Sequence, residues 1–406
     1  MRVLIAGSGG REHALAWALA RSDPPVELHA APGNPGIAAL ATCHPVRTED
    51  ADGLLGLARS LETDLVVFGP EAPIVAGAGD RLRGAGIAVF GPSAAAARIE
   101  GSKSFAKDVL QAVGVPVPQP LDAAAAPCVI KADGLAGGKG VFVCRTQQEA
   151  DTGLEAAAAL GGTVVVEELL EGEELSVFAL CDGARAVPLA AARDYKRVGD
   201  GDTGPNTGGM GSFSPVPGFG ADEVAELVDR IHAPVVLELA RRGPPFTGVL
   251  FAGLMLTADG PRVLEFNCRF GDPETQSMLP CLDGDLADAL AAAAAGDVRD
   301  ASIQVADRAA VTVVVAGGEY PERNDAGSEI EGVEQAEQLG ALVFHSGTAL
   351  HGDRLVTDGG RILGVTGSGE DVEQARALAY EGAAAISFEG ARYRHDIAVP
   401  DRTRVG

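Results

Sequence analysis

Short apolar runs alternate with helical patterns along the first hundred residues, and each run stops at glycine or proline. Residues 3–6 read as a strand ending in Gly7-Ser8-Gly9-Gly10, and residues 13–20 as a helix with Leu15, Ala18 and Leu19 on one face. Residues 26–30, 65–68 and 87–90 repeat the strand pattern, the last two running into Gly69-Pro70-Glu71-Ala72-Pro73 and Gly91-Pro92. Strands alternating with helices predict a parallel α/β sheet over residues 1–98. Ligands of such sheets bind beyond the carboxyl ends of the strands.

A helical stretch over 93–113 carries Lys103 and Lys107, and Pro116, Pro118 and Pro120 break it. A strand over 129–131 runs into the glycine-rich segment 133–140, followed by a strand at 141–144, a helix at 150–160 and a strand at 163–168 that ends in two acids. The segment 193–211 reads as a polar, glycine-rich loop and 222–242 as a helix. Strands at 251–257 and 262–267 flank Ala258-Asp259-Gly260-Pro261, a hairpin signal. A helix at 286–295 closes this region. Residues 301–406 combine strands at 311–315, 342–345 and 361–366 with a helix at 371–385, which predicts a smaller α+β part.

The net charge of −25 argues against nucleic-acid binding through a broad basic face. No apolar run approaches the ~20 residues of a membrane span, and the 3–6 run is too short for a signal peptide. The six cysteines are scattered without a Cys-x-x-Cys pair, and the seven histidines show no metal-ligand spacing. Both facts suit reduced thiols and an expected cytoplasmic location. The cations divide into 27 Arg and only 5 Lys, all five between positions 103 and 196. Compositional drift explains that bias as well as the alternative, in which lysine stands where a compact ammonium matters.

Three segments carry candidate chemistry. Gly7-Ser8-Gly9-Gly10-Arg11-Glu12 follows a strand and opens a helix, as a dinucleotide fingerprint does, but Glu12 replaces the third glycine. A tight turn and an anion site at the helix N-terminus remain open beside the NAD reading, for which Glu27 is the candidate acid. Asp133-Gly134-Leu135-Ala136-Gly137-Gly138-Lys139-Gly140 is no Walker A loop, because it lies between two strands and lacks the Ser or Thr. A hairpin of this kind can fold over a triphosphate, with Lys139 and the preceding Lys131 as donors. In 263–269, alternation puts Leu264, Phe266 and Cys268 toward the core and Glu265, Asn267 and Arg269 on the other face. Two oxygen ligands and a cation on one strand face suit Mg²⁺ bridging phosphates. Arg193-Asp194-Tyr195-Lys196-Arg197 adds a local cationic cluster.

Six motifs together closely resemble the glycinamide ribonucleotide synthetase (phosphoribosylamine–glycine ligase) family of the ATP-grasp superfamily. They are residues 9–15, 69–73, 100–103, 130–136, Asp202-Thr203-Gly204-Pro205-Asn206-Thr207-Gly208-Gly209-Met210-Gly211, and Glu265-Phe266-Asn267-Cys268-Arg269-Phe270-Gly271-Asp272-Pro273-Glu274-Thr275. The resemblance covers nearly the whole chain. It implies an α/β and α+β multidomain fold: an N-terminal parallel α/β domain (1–98), an ATP-grasp domain (99–300) with a small lid at about 116–175, and a C-terminal α+β domain (301–406).

It also implies ligation of glycine to 5-phosphoribosylamine, driven by ATP with Mg²⁺ or Mn²⁺, in a monomer or weak homodimer without nucleic-acid or membrane partners. Glu265 and Asn267 are then metal ligands. Lys103, Lys131, Lys139, Glu167, Glu168, Leu170 and Glu174 are nucleotide contacts, with backbone near Glu168 and Leu170 reading adenine and Glu174 the ribose. Gly9, Gly10, Arg11, Glu71, Asp194, Lys196, Asn206 and Asp272 face the other substrates, Arg269 steadies the transferring phosphate or the glycine carboxylate, and Lys139 acts beside it on the phosphates. On this reading only Lys107 is purely structural, and the cleft is a positive exception on an acidic molecule. Two features depart from the family pattern: only 22 residues (141–162) lie between Gly140 and Thr163, and Ala349 follows Gly347-Thr348 where lysine is frequent. A carboxyaminoimidazole-type ligase and a nucleotide-binding protein without catalysis are the alternatives. The 202–211 motif disfavours the first, and retention of Glu265, Asn267, Lys131 and Lys139 the second.

Overall fold

The structure, a computed structural model, describes residues 1–134, 140–301 and 303–399. Lys139 and the rest of 135–139 therefore lie outside the described residues.

The first part is a five-stranded parallel sheet in the order Thr42–Cys43, Glu27–Pro32, Arg2–Gly7, Leu65–Phe68, Ala88–Phe90. Val3, Leu4, Ile5 and Ala6 are all fully buried, as expected of a parallel strand covered on both faces. The carboxyl ends of its three longest strands deliver Gly7, Pro32 and Phe68–Gly69 to one rim.

Instead of one helix over 93–113 there are two, Ala94–Gly101 and Lys103–Ala112. Ser102 separates them with extended backbone, and its hydroxyl accepts from the Phe105 amide at 3.3 Å. A serine N-cap after glycine starts a new helix at this point. The 222–242 helix is likewise interrupted: Ala221–Leu227 and Ala233–Arg241 flank a wide π-helical turn, Val228–His232. Pro234, at the start of the second piece, has no N–H to continue the ladder.

A small three-stranded antiparallel sheet, Val141–Cys144, Cys128–Ala132, Val164–Glu168, is covered by helix Gln147–Ala159. It has its own core of Cys128, Ile130, Ala132, Cys144, Ala150 and Ala157.

The largest element is an eight-stranded antiparallel sheet. Its order is Gly260–Asn267, Thr247–Thr257, Glu173–Asp182, Ala186–Asp194, Gly211–Ser214, Ala309–Ala316, Arg361–Gly369, Leu342–His345. The C-terminal strands thus continue the central sheet. Helix Val372–Ala385 packs on them so closely that a Cβ at Gly367 would collide with the Ala375 carbonyl. Among the described residues, no helix is long and apolar enough to cross a membrane.

Candidate active site

A cleft of about 450 Å³ lies where the parallel rim, the small sheet and the large sheet meet. Its nucleotide-like end is built on helix Lys103–Ala112, whose Lys103 and Lys107 stand one turn apart on the same face. Asp133 fixes this helix to the glycine-rich segment: its carboxylate accepts from the Lys103 amide at 2.6 Å and the Ser104 hydroxyl at 2.8 Å. The Lys103 ammonium donates to the Gly134 carbonyl at 3.1 Å. Burial and the neighbouring Lys131 ammonium pull Lys103 below the ordinary lysine range, against Glu265 and Asp133.

Glu167 is almost fully buried and bridges two lysines, Lys107 at 2.7 Å and Lys131 at 2.8 Å. Lys107 is therefore no bystander: it lines the cleft and helps neutralise a carboxylate that burial would otherwise disfavour.

The strand face at 263–269 is corrected in one detail. Gly253 pairs with Glu265 and Leu254 with Val263, so Leu264 is the extra residue of a β-bulge. Val263, Phe266 and Cys268 belong to the core, while Leu264 lines the cleft. The bulge leaves the Leu264 carbonyl free to accept from the Lys131 ammonium at 3.0 Å. Glu265 and Asn267 line the same cleft. Among the described residues no group of three or more His, Cys, Asp or Glu could hold a metal by itself. Two hard oxygen donors suit a divalent cation that completes its shell with phosphate and water.

Arginines ring the other end. Arg269 meets Glu71 at 3.3 Å and Glu100 at 3.5 Å. Burial alone would raise Glu71, but Arg269 and Arg11 outweigh it and hold the carboxyl low. Burial pushes Glu100 up, although it accepts from the Cys268 amide at 2.8 Å. Arg361, from the C-terminal strand Arg361–Gly369, donates to the Asp272 carboxylate at 2.8 Å and to the Gly208 carbonyl at 2.7 Å. Lys196 contacts Glu174 and lies 3.0 Å from Asp194. Glu274 is fully enclosed and is pushed up to about 7 by burial and by Asp194.

The first glycine loop resolves against NAD. The Glu12 carboxylate accepts from the Gly9 amide at 2.5 Å and from Arg11 Nε at 2.6 Å. A Cβ at Gly7 or Gly69 would collide with it. The chain's own carboxylate thus takes one of the donors expected to meet an anion. Glu27 stands at the opposite end of its strand, paired with Arg2 and exposed to solvent.

Arg11, Glu71, Lys103, Lys131, Glu167, Asp194, Lys196, Glu265, Asn267, Arg269 and Asp272 come together around the cleft. Glu174 reaches it through Lys196. The Glu168 side chain pairs with Arg262 at 3.2 Å and Leu170 is half-buried, which leaves their expected backbone contacts to adenine untouched. Asn206 lies in the short ladder opposite Arg197, leaving Thr207 and Gly208 to face the cleft. Gly9 and Gly10 sit just behind the wall, with Gly10 packed against Ser346 and Gln276. Glu100 and Glu274 stood inside recognised motifs without a role, whereas Arg361 carried no local signal. Among the described residues the lining carries seven basic and seven acidic side chains, a more basic balance than that of the acidic chain as a whole.

Family comparisons agree along the chain. The N domain, ATP-grasp (A) domain and C domain models of phosphoribosylglycinamide synthetase match residues 1–100, 101–275 and 310–400. The phosphoribosylamine–glycine ligase of Rhizobium meliloti is 48% identical over 414 aligned residues, covering 98% of each chain. That of Streptomyces coelicolor is also 48% identical, covering 98% of this chain and 99% of the relative. The crystal structure of the Thermotoga maritima phosphoribosylamine–glycine ligase superposes with a TM-score of 0.82 at 35% identity, covering 98% of this chain and all of that one. A biotin carboxylase from Campylobacter jejuni, covering 97% of this chain and 92% of its own, shares the fold at 14% identity with a TM-score of 0.72. An N-terminal parallel sheet, an ATP-grasp centre and a C-terminal α+β part are thus common ground, and the chain belongs to the phosphoribosylglycinamide synthetase family.

Proposed function

We propose that this chain joins glycine to 5-phosphoribosylamine, converting ATP to ADP and phosphate and yielding glycinamide ribonucleotide, the second step of de novo purine synthesis. The observation that carries the reading is one cleft in which a lysine-lined end, an oxygen-donor pair and an arginine-ringed end meet, in a chain that shares 48% identity with ligases of that name.

A glycine carboxylate oxygen attacks the γ-phosphorus, and the bond to the ADP oxygen breaks. The amine nitrogen of phosphoribosylamine then attacks the carbonyl carbon of glycyl phosphate, and phosphate leaves. Lys103, Lys131 and Lys139 draw the phosphates in, and Arg269 holds the carboxylate or the transferring group bidentately. Glu265 and Asn267 would hold a divalent cation, Mg²⁺ or Mn²⁺, which when bound would supply positive charge for phosphoryl transfer. Arg11, Glu71, Asp272 and Arg361 face the phosphoribosylamine. The attacking nitrogen must shed a proton, and Glu274, poised near neutral pH, accepts it. Six free thiols fit work in the cytoplasm.

ADP release is the direct test, measured with a panel of amino acids with and without chemically generated phosphoribosylamine. Turnover is expected only with glycine and the amine together. No ADP under any combination would leave a nucleotide-binding protein instead.

A further inference from the structure

Arg394 is the largest fully buried side chain among the described residues, at 1% exposure, and it lies far along the chain from the motifs above. A guanidinium is costly to bury unless its donors are paired, and this one is paired toward two segments. Nε and Nη2 donate to the Asp396 carboxylate at 2.7 and 2.6 Å. Nη1 donates to the Asp202 carboxylate at 2.7 Å and to the Arg197 carbonyl at 3.0 Å. The guanidinium also stands 4.9 Å over the Tyr195 ring.

Neighbouring bonds tighten the same grip. The Ala398 amide donates to the Tyr195 hydroxyl at 2.9 Å, and the Gly201 amide to Asp396 at 2.8 Å. The His395 amide donates to Asp200 at 2.7 Å. Residues 394–398 therefore hold 195–202 on both sides of Lys196. The Tyr195 ring and the Arg197 carbonyl thus face the C-terminal segment, while the Lys196 side chain between them lies in the cleft beside Asp194 and Glu174. The Lys196 carbonyl is pinned as well, accepting from the Thr207 amide at 2.7 Å.

We propose that Arg394 is a positioning residue for the ligase site: by clamping Tyr195, Arg197 and Asp202 it fixes the backbone that aims the Lys196 ammonium into the cleft. This rests on the ligase reading for its kinetic consequence, but its geometric claim stands apart from it.

Two measurements test the proposal. A chain with only five lysines allows reductive methylation to be followed residue by residue by mass spectrometry. Arg394→Met is expected to speed labelling of Lys196 several-fold while Lys103, Lys107 and Lys131 keep their wild-type rates. An unchanged Lys196 rate, or a uniform rise at all of them, overturns the proposal whether or not the protein is a ligase. The second measurement is a double-mutant cycle on kcat/KM. Displacing a group by about 1 Å from a remote site costs on the order of a hundredfold, so Arg394→Met is expected to lose about that factor in the wild-type background. In a Lys196→Met background it should lose little more, because the group it aims is gone. Equal losses in both backgrounds overturn the proposal. Absence of ATP turnover in the wild type would instead defeat the ligase reading. Should Arg394→Met fail to fold, Tyr195→Phe removes the hydroxyl that the Ala398 amide meets and Asp202→Asn the charge that Arg394 Nη1 meets, and each carries the same two expectations at smaller amplitude.

Discussion

Glu274 is a weakened acid because burial and one neighbouring carboxylate act in the same direction. Burial disfavours its charge and so does Asp194, and together they outweigh Lys196 and Arg269 to leave it titrating at about 7. As the acceptor of the amine proton it must be ionised, so kcat should rise with pH through about 7 and level off above it. Glu274→Gln removes both the rise and the acceptor, with a loss of about 10²–10⁴-fold expected for general base catalysis. A pH–rate series on both forms checks this, and a variant that keeps the wild-type rise sinks the assignment. Single residues were legible where alternation or a motif exposed them. Glu265, Asn267 and Arg269 were read from one strand face. The bulge at Leu264 was invisible to the same alternation, because an extra residue shows only when the partner strand is in place. Lys107 looked structural because its partner, Glu167, is sixty residues away.

At the scale of elements, Asp133 is where two of them are tied together. Its carboxylate holds the start of helix Lys103–Ala112 through the Lys103 amide and Ser104, and it begins the glycine-rich segment. Asp133→Ala releases both at once. Hydrogen bonds to a charged group contribute about 1.5–3 kcal/mol each, and about 1.4 kcal/mol is tenfold in affinity. Loss of even part of this is expected to raise KM for ATP about tenfold, with kcat reduced much less. Steady-state kinetics at varied ATP decide it, since an unchanged KM means the tie does not matter to nucleotide binding. Most elements were readable from period and punctuation, including hairpin 247–267 and helix Val372–Ala385. The two strands at the heart of the sheet, Glu173–Asp182 and Ala186–Asp194, went unread. Residues 175–182 are all buried, so the run has no polar alternation to mark it as a strand. Only Gly172 and Gly183 at its ends gave a signal.

Across the whole molecule, pairing between distant strands decides what sequence periodicity cannot. The C-terminal strands were recognisable one by one, yet their place in the central sheet depends on contacts a hundred residues apart. Strand Ala309–Ala316 lies between Gly211–Ser214 and Arg361–Gly369, and all eight of its residues are buried. The same C-terminal part brings Arg361 into the cleft and seats its His345 amide on His13 at 2.8 Å. A chain ending at residue 305 would therefore lose more than an appendage. Strand Gly211–Ser214 would become an unpaired edge, which invites association with other chains. The apolar surface now covered by Val311, Val313 and Val315 would face water. That truncated chain is expected to aggregate on expression. The full chain should show no separate low-temperature transition for its last hundred residues, because one sheet spans both parts and cooperative units follow shared cores. Calorimetry of the full chain and gel filtration of the truncated one test this together. A soluble, monomeric 1–305 chain that still binds ATP would mean that the shared sheet carries no stability across the junction.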